Sequence, residues 1–221
     1  MDYTWSWNVV VSSLPVLAQG AWMTIRLTCI AVGLGILIGT FLGMGRVSSV
    51  KIIFALSSSY VHFIRGTPLL VQLFFIYYAL PIVLGRHVPP FAAAIVAMSL
   101  NSAAYVAEIV RAGIQSIDRG QMEAARSLGM TYQQAMLHII IPQTFKRIIP
   151  PLGNEFIAML KDSSLVSAIA LEELVRKGQI IYGRTYKSFE VWTAVALFFL
   201  LMTLPITALV NYTERRMKAG D

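Results

Sequence analysis

The sequence predicts an all-α, multi-pass membrane protein, and three observations carry that prediction. Of the 221 residues, 57% are hydrophobic and only 13% are charged, about half the charged fraction of an ordinary soluble domain. The mean hydropathy is +0.67. Several uncharged apolar runs approach the roughly 20 residues that a helix needs to cross a bilayer. The net charge is +7. On a soluble chain that excess would raise nucleic-acid binding, but in a membrane chain it serves as a topology signal in loops, and no nucleic-acid partner is expected. The single cysteine, Cys29, excludes an internal disulfide, a Cys-built zinc site and an iron–sulfur cluster.

Taken in order, the chain opens on Met1-Asp2-Tyr3-Thr4-Trp5-Ser6-Trp7 with no Lys or Arg before Arg26. The basic flank of a signal peptide is missing, and Trp5 and Trp7 read as interfacial anchors. Spans are expected at Leu27–Gly45, Gly66–Gly85, Val88–Ala107 and Val191–Thr213. A fifth, Ile148–Leu160, is interrupted by Glu155 and reaches crossing length only if extended into Ser163–Leu171 with its polar residues turned inward. Gly35, Gly39 and Gly43 recur every four residues on the first span, which marks a packing face within the chain or with a second copy. An N-out, C-in arrangement places ten Lys and Arg residues inside, from Arg46 to Lys218. Six fall outside: Arg86, Lys161, Arg176, Lys177, Arg184 and Lys187.

The longest interior polar stretch runs from about Arg111 to Arg147. Within it Gln121, Glu123, Ala124, Ala125 and Arg126 form a short helix, with Asp118 as N-cap and Gly129 as the left-handed residue after its end. Thr131-Tyr132-Gln133-Gln134 matches a capping box that opens a second helix, and Pro142 is expected to end or kink it. The alanine pair leaves a smooth surface that fits a partner's groove, or the segment simply ties two spans together.

Ionisable groups at membrane depth mark polar passages or internal pairs. Glu108 shares a face with Asn101 and Tyr105 by i, i+4, i+7 spacing, and Arg111 at i+3 is its expected partner. Glu155, beside Asn154 and six residues before Lys161, has Pro151 and Met159 at i−4 and i+4; substrate contact is favoured for it over helix pairing or gating. A continuous helix from Ile52 to Gly85 would be about 51 Å long, so Arg65-Gly66-Thr67-Pro68 is read as a break. The half-helix beyond it would aim N–H groups at an anion, unless the break is an ordinary bend. Arg65 and Thr67 are therefore candidate substrate contacts, although Arg65 would equally suit a lipid phosphate or a loop carbonyl. His62, His87 and His138 show no metal-ligand spacing, so no metal site is expected.

Glu123-Ala124-Ala125, Gly129 and Ile139-x-Ile141-Pro142 together resemble the EAA signature of ABC importer permeases, with Ile141 where the pattern usually has Leu. The Arg65–Gln72, Tyr105–Arg111, Pro150–Glu155 and Leu160–Leu165 segments resemble the polar amino acid uptake subfamily, and the likeness covers the chain from about residue 15. It implies a type I importer permease fold: one permease domain over residues 1–221 with a cytoplasmic coupling segment at about 112–142, in the inner membrane. It also implies a second permease copy or paralogue, separate ATPase subunits docking on the coupling helix, and an external binding protein. The chain contains no G-x-x-x-x-G-K-[ST] loop, so no cofactor and no catalytic residue are expected here, and ATP is expected on the partner subunit. Glu155 would favour a basic cargo such as arginine, lysine or histidine. The alternative is an ion-coupled secondary transporter of amino acids, with Glu108 or Glu155 relaying protons.

Overall fold

The computed structural model describes residues 4–218. Met1, Asp2 and Tyr3 of the expected anchor segment, residues 219–221 and the side chain of Lys218 lie outside the described residues. The architecture is helical throughout, with no strand among the described residues. Ten α-helices follow in order: α1 (Trp7–Gly45), α2 (Lys51–Arg65), α3 (Leu69–Phe74), α4 (Leu80–Leu84), α5 (Pro90–Gln115), α6 (Arg119–Ser127), α7 (Tyr132–Ala135), α8 (Ile141–Asp162), α9 (Leu174–Thr185) and α10 (Ser188–Lys218). The helices α1, α5 and α10 are long and apolar enough to span a bilayer, and α2 with the Leu69–Leu84 segment forms a fourth, broken candidate. The fifth expected span, Ile148–Leu160, lies within α8, which is not apolar enough to cross on composition alone. Its Lys146, Arg147, Asn154 and Glu155 divide it into a polar and an apolar face.

Two compact units make up the chain, each assembled from three stretches. The first comprises residues 1–33, 67–99 and 156–206. Leu17 and Ala21 of α1, Leu174 of α9 and Val191, Ala194 and Val195 of α10 form its core. Gly20 permits this approach, because a Cβ there would lie 2.8 Å from the Leu174 backbone. Thr24 Oγ1 accepts the Leu174 N–H at 3.3 Å, and Glu173, fully buried, caps α9 by accepting from the Val175 and Arg176 amides. Burial pushes the Glu173 carboxyl up to about 7, against the opposing pull of those donors. At the other end of the unit the buried Glu190 accepts the Ser6 N–H at 2.9 Å, and Trp5 stacks edge-on against Trp7 and Phe189.

The second unit comprises residues 34–66, 100–155 and 207–221. Gly35, Gly39 and Gly43 press the later half of α1 onto α5: a Cβ at Gly39 would meet the Ala103 carbonyl oxygen at 2.6 Å, and one at Gly43 would meet Val110 at 2.7 Å. The four-residue glycine repeat is thus a packing face within the chain. Val61 and Ile64 of α2 pack on Ala104 and Ala107 of α5, and Tyr60 Oη donates to the Leu100 carbonyl at 2.8 Å. Ile148 of α8 packs on Val106 and Val110.

Pro142 does not end its helix, which removes one of the two outcomes expected of it, an end or a kink. A five-residue π turn, Met136–Ile140, precedes it, and the Ile141 N–H reaches back to Met136 O. The wider turn accommodates a residue that has no N–H and would otherwise collide with the carbonyl four residues back. The same device recurs at Pro81, where Phe75–Ala79 is a π turn and the Leu80 N–H bonds Phe75 O.

Candidate functional site

The site grows from the end of α1. Gly45 lets α1 finish tightly against α2, since a Cβ there would lie 2.3 Å from Ser57 Oγ, and the next residue, Arg46, is carried toward α5. There Glu108 gathers three guanidinium groups. Arg46 and Arg111 both bond its carboxylate, Arg111 also through Nε at 3.1 and 3.2 Å. Arg65, the last residue of α2, stands 3.8 Å away and lies over the Tyr105 ring at 5.2 Å. Arg111 extends the network to Gln115, and Arg147 of α8 donates to the Ser116 carbonyl. The expected Glu108–Arg111 pair is present; Arg46 and Arg65 were not foreseen as partners. Helical spacing can reveal only neighbours on one helix, so the sole signal for them was the scarcity of acids near so many arginines.

A cavity of about 380 Å³ opens beside this node, lined by Arg65, Tyr105, Glu108, Ile109, Arg147 and Pro151 among others. Its walls follow helical rows. Arg147 and Pro151 are four residues apart on α8, and Glu155 continues their row by one turn; on α5, Asn101 likewise precedes Tyr105 by one turn. Asn101 and Glu155 are both buried, at 5% and 8% exposure, whereas Asn154 and Lys161 are exposed. The structure therefore unites Arg65, Tyr105 and Glu108, and leaves Asn154 and Lys161 outside that cluster. Thr67 sits in the break, where it accepts from the Gln72 amide at 2.9 Å through its hydroxyl and at 3.1 Å through its carbonyl. The break itself runs through Gly66 and Pro68, the latter extended at ψ 139° before α3 begins.

The segment around α6 and α7 follows the expected caps closely. Asp118 Oδ1 accepts the Gly120 N–H at 2.7 Å. Gly129 adopts φ +84°, its N–H bonding Arg126 O and the Met130 N–H bonding Ala125 O, both at 3.1 Å, the paired pattern of a Schellman end. Thr131 and Gln134 then exchange the two bonds of a capping box. This arrangement projects Gln121, Glu123, Ala124 and Arg126 outward while Ala125 turns in. Sequence reasoning passed over Leu128, which is 85% exposed at the tip; an apolar residue among polar ones, directly before the turning Gly129, was its signal. Among the described residues no group of three or more His, Cys, Asp or Glu could hold a metal ion.

This architecture has relatives. The family model for the inner membrane component of binding-protein-dependent transport systems matches residues 35–219. The chain belongs to that family. It is a transport component of the inner membrane, crossing it more than once, and not an enzyme. The permease is 38% identical over 213 residues to the glutamine transport system permease protein GlnP of Escherichia coli, covering 96% of this chain and 97% of the relative. It is 35% identical over 214 residues to the arginine transport system permease protein ArtQ of Bacillus subtilis, covering 97% and 98%. A crystal structure of an amino acid ABC transporter with histidines superposes with a TM-score of 0.92 at 47% identity, over 97% of the permease and 100% of that chain. Type I ABC permease architecture is thereby established.

Proposed function

We propose that the permease forms the membrane passage of an ATP-driven importer for polar amino acids, with a preference for basic ones. Relatives named for glutamine and arginine and a solved neighbour holding histidines support amino acid cargo. The observation that carries the finer reading is Glu155, a carboxyl 8% exposed on the polar row of α8. A fixed negative charge in a low-dielectric wall attracts a cationic side chain far more strongly than it would in water. Asn101, Tyr105, Arg65 and Thr67 complete the candidate lining, with Asn154 and Lys161 flanking Glu155 in sequence. ATP binds a partner ATPase, which docks on α6 through Gln121, Glu123, Ala124, Ala125, Arg126 and the turn at Gly129. A second permease copy or paralogue and an external binding protein complete the assembly. Membership of a binding-protein-dependent family favours this reading over ion-coupled transport.

The test is uptake by the reconstituted importer with labelled arginine and labelled glutamine. Glu155→Gln should lower arginine uptake at least tenfold, a loss of roughly 1.4 kcal/mol, while changing glutamine uptake less than threefold. Unchanged arginine uptake refutes the basic preference.

A further inference from the structure

A proline in the second position of α8 leaves the turn before it short of a donor. Pro142 has no N–H, and side chains that follow it serve the carbonyls of the π turn Met136–Ile140. Gln143 Nε2 donates to Ile139 O at 3.0 Å, and Thr144 Oγ1 donates to Ile140 O at 2.8 Å. Gln143 also reaches beyond its own helix. Its Nε2 donates to Gln121 Oε1 of α6 at 3.4 Å, across 22 residues of sequence. One amide thus touches both the π turn and the helix on which the ATPase is proposed to dock.

A second bond ties α8 to the same corner of the chain. Arg147, four residues after Gln143 and so on the same face of α8, donates to Ser116 O, two residues before the Asp118 that caps α6. At these turns α5 and α8 approach closely: a Cβ at Gly113 would lie 2.3 Å from Ile148 Cγ2 and 3.2 Å from Thr144 Cγ2. The helix α6 is closed at both ends, by Asp118 at its start and by the Gly129 turn at its finish, so it moves as one body. A displacement of α6 is therefore felt on α8 at Gln143 and Arg147. From there the same row continues in four-residue steps through Pro151 to Glu155, the carboxyl proposed to meet cargo.

We propose that Gln143 is a positioning residue for transport, its amide carrying the movement of α6 to the row of α8 that ends in Glu155. The inference rests on α6 being the docking helix and adds the residue through which docking acts. One neutral hydrogen bond biases an equilibrium roughly threefold to tenfold, so its loss uncouples transport in part rather than stopping it. The test is the number of ATP molecules hydrolysed per amino acid imported by the complete importer in liposomes. The cargo is labelled arginine or labelled glutamine, whichever the wild type takes up faster. Gln143→Met keeps the size of the side chain and removes both of its bonds; Gln143→Ala removes them without adding apolar surface. Both should co-purify with the ATPase as the wild type does, keep cargo-stimulated hydrolysis, and raise the ratio about threefold to tenfold. Gln143→Glu separates the link from a merely local role. Its carboxylate cannot donate to Ile139 O, but it accepts from the Gln121 NH₂ group once that amide turns over, so the ratio should stay near the wild type's. A ratio unchanged in Gln143→Met and Gln143→Ala overturns the proposal. So does a ratio in Gln143→Glu raised as far as theirs, or failure of both Gln143→Met and Gln143→Ala to assemble with the ATPase. Glu123→Lys, measured alongside, should lose stimulated hydrolysis and uptake together. If it keeps both, the docking reading itself fails, whereas an unchanged ratio in Gln143→Met beside an inactive Glu123→Lys defeats the link alone.

Discussion

Gly129 turns the chain between α6 and α7 at φ +84°, a conformation that costs an L side chain about 1–2 kcal/mol. Gly129→Ala should lower the melting temperature of the purified permease by a few degrees and weaken its stimulation of the partner ATPase. Gly33→Ala, where an added Cβ meets nothing within 4 Å, should leave both unchanged. Glu173 gives a pH-dependent counterpart. Its carboxyl is raised to about 7 from 4.5 by burial, so folding favours the protonated form. Stability is then fully present below about pH 4.5 and falls as pH rises through 7, by on the order of 3 kcal/mol. Melting curves between pH 4.5 and 8 should show this decline, and Glu173→Gln should flatten it. At this scale the sequence was informative about caps, because Asp118, Gly129 and Thr131 act on residues two to four positions away. It was silent on Arg46 and Arg65, whose shared partner Glu108 is 62 and 43 positions distant.

Helix pairing in this chain depends on close approach rather than on large side chains. Gly39→Val would drive a side chain into the Ala103 carbonyl, 2.6 Å from the position of its Cβ, and neither backbone can yield cheaply. Without water to drive apolar association, such small-residue contacts hold membrane helices together. The variant should unfold at least 5 °C lower in detergent, a shift read by thermal denaturation; an unchanged melting point would show that the α1–α5 face is not stabilising. The glycine spacing made this face legible, but not its partner, which a single helix cannot disclose. The two π turns were hidden for a different reason. Pro81 and Pro142 announce a missing N–H, yet whether the helix stops or widens depends on what the next turns pack against, and Ile148 of α8 is anchored on Val106 and Val110.

For the whole molecule, composition alone indicated the class: a chain 57% hydrophobic and 13% charged has few acids to distribute, so those at depth stand out. The family signature in the segment around α6 and α7 indicated the architecture. What composition and motif could not supply was the division of the chain into two units, because each is built from stretches far apart in the sequence. Composition by itself does not single out α8 as a span, since Lys146, Arg147, Asn154 and Glu155 interrupt its apolar run. In the proposed importer the exposed α6 transmits ATP hydrolysis to the membrane passage. The most direct test of that transmission is amino-acid-stimulated ATP hydrolysis by the permease co-reconstituted in liposomes with its ATPase and binding protein. The wild type should hydrolyse ATP several-fold faster with cargo present, and Glu123→Lys, which reverses an exposed charge on α6, should abolish both that stimulation and uptake. Full stimulation and uptake in Glu123→Lys would contradict it.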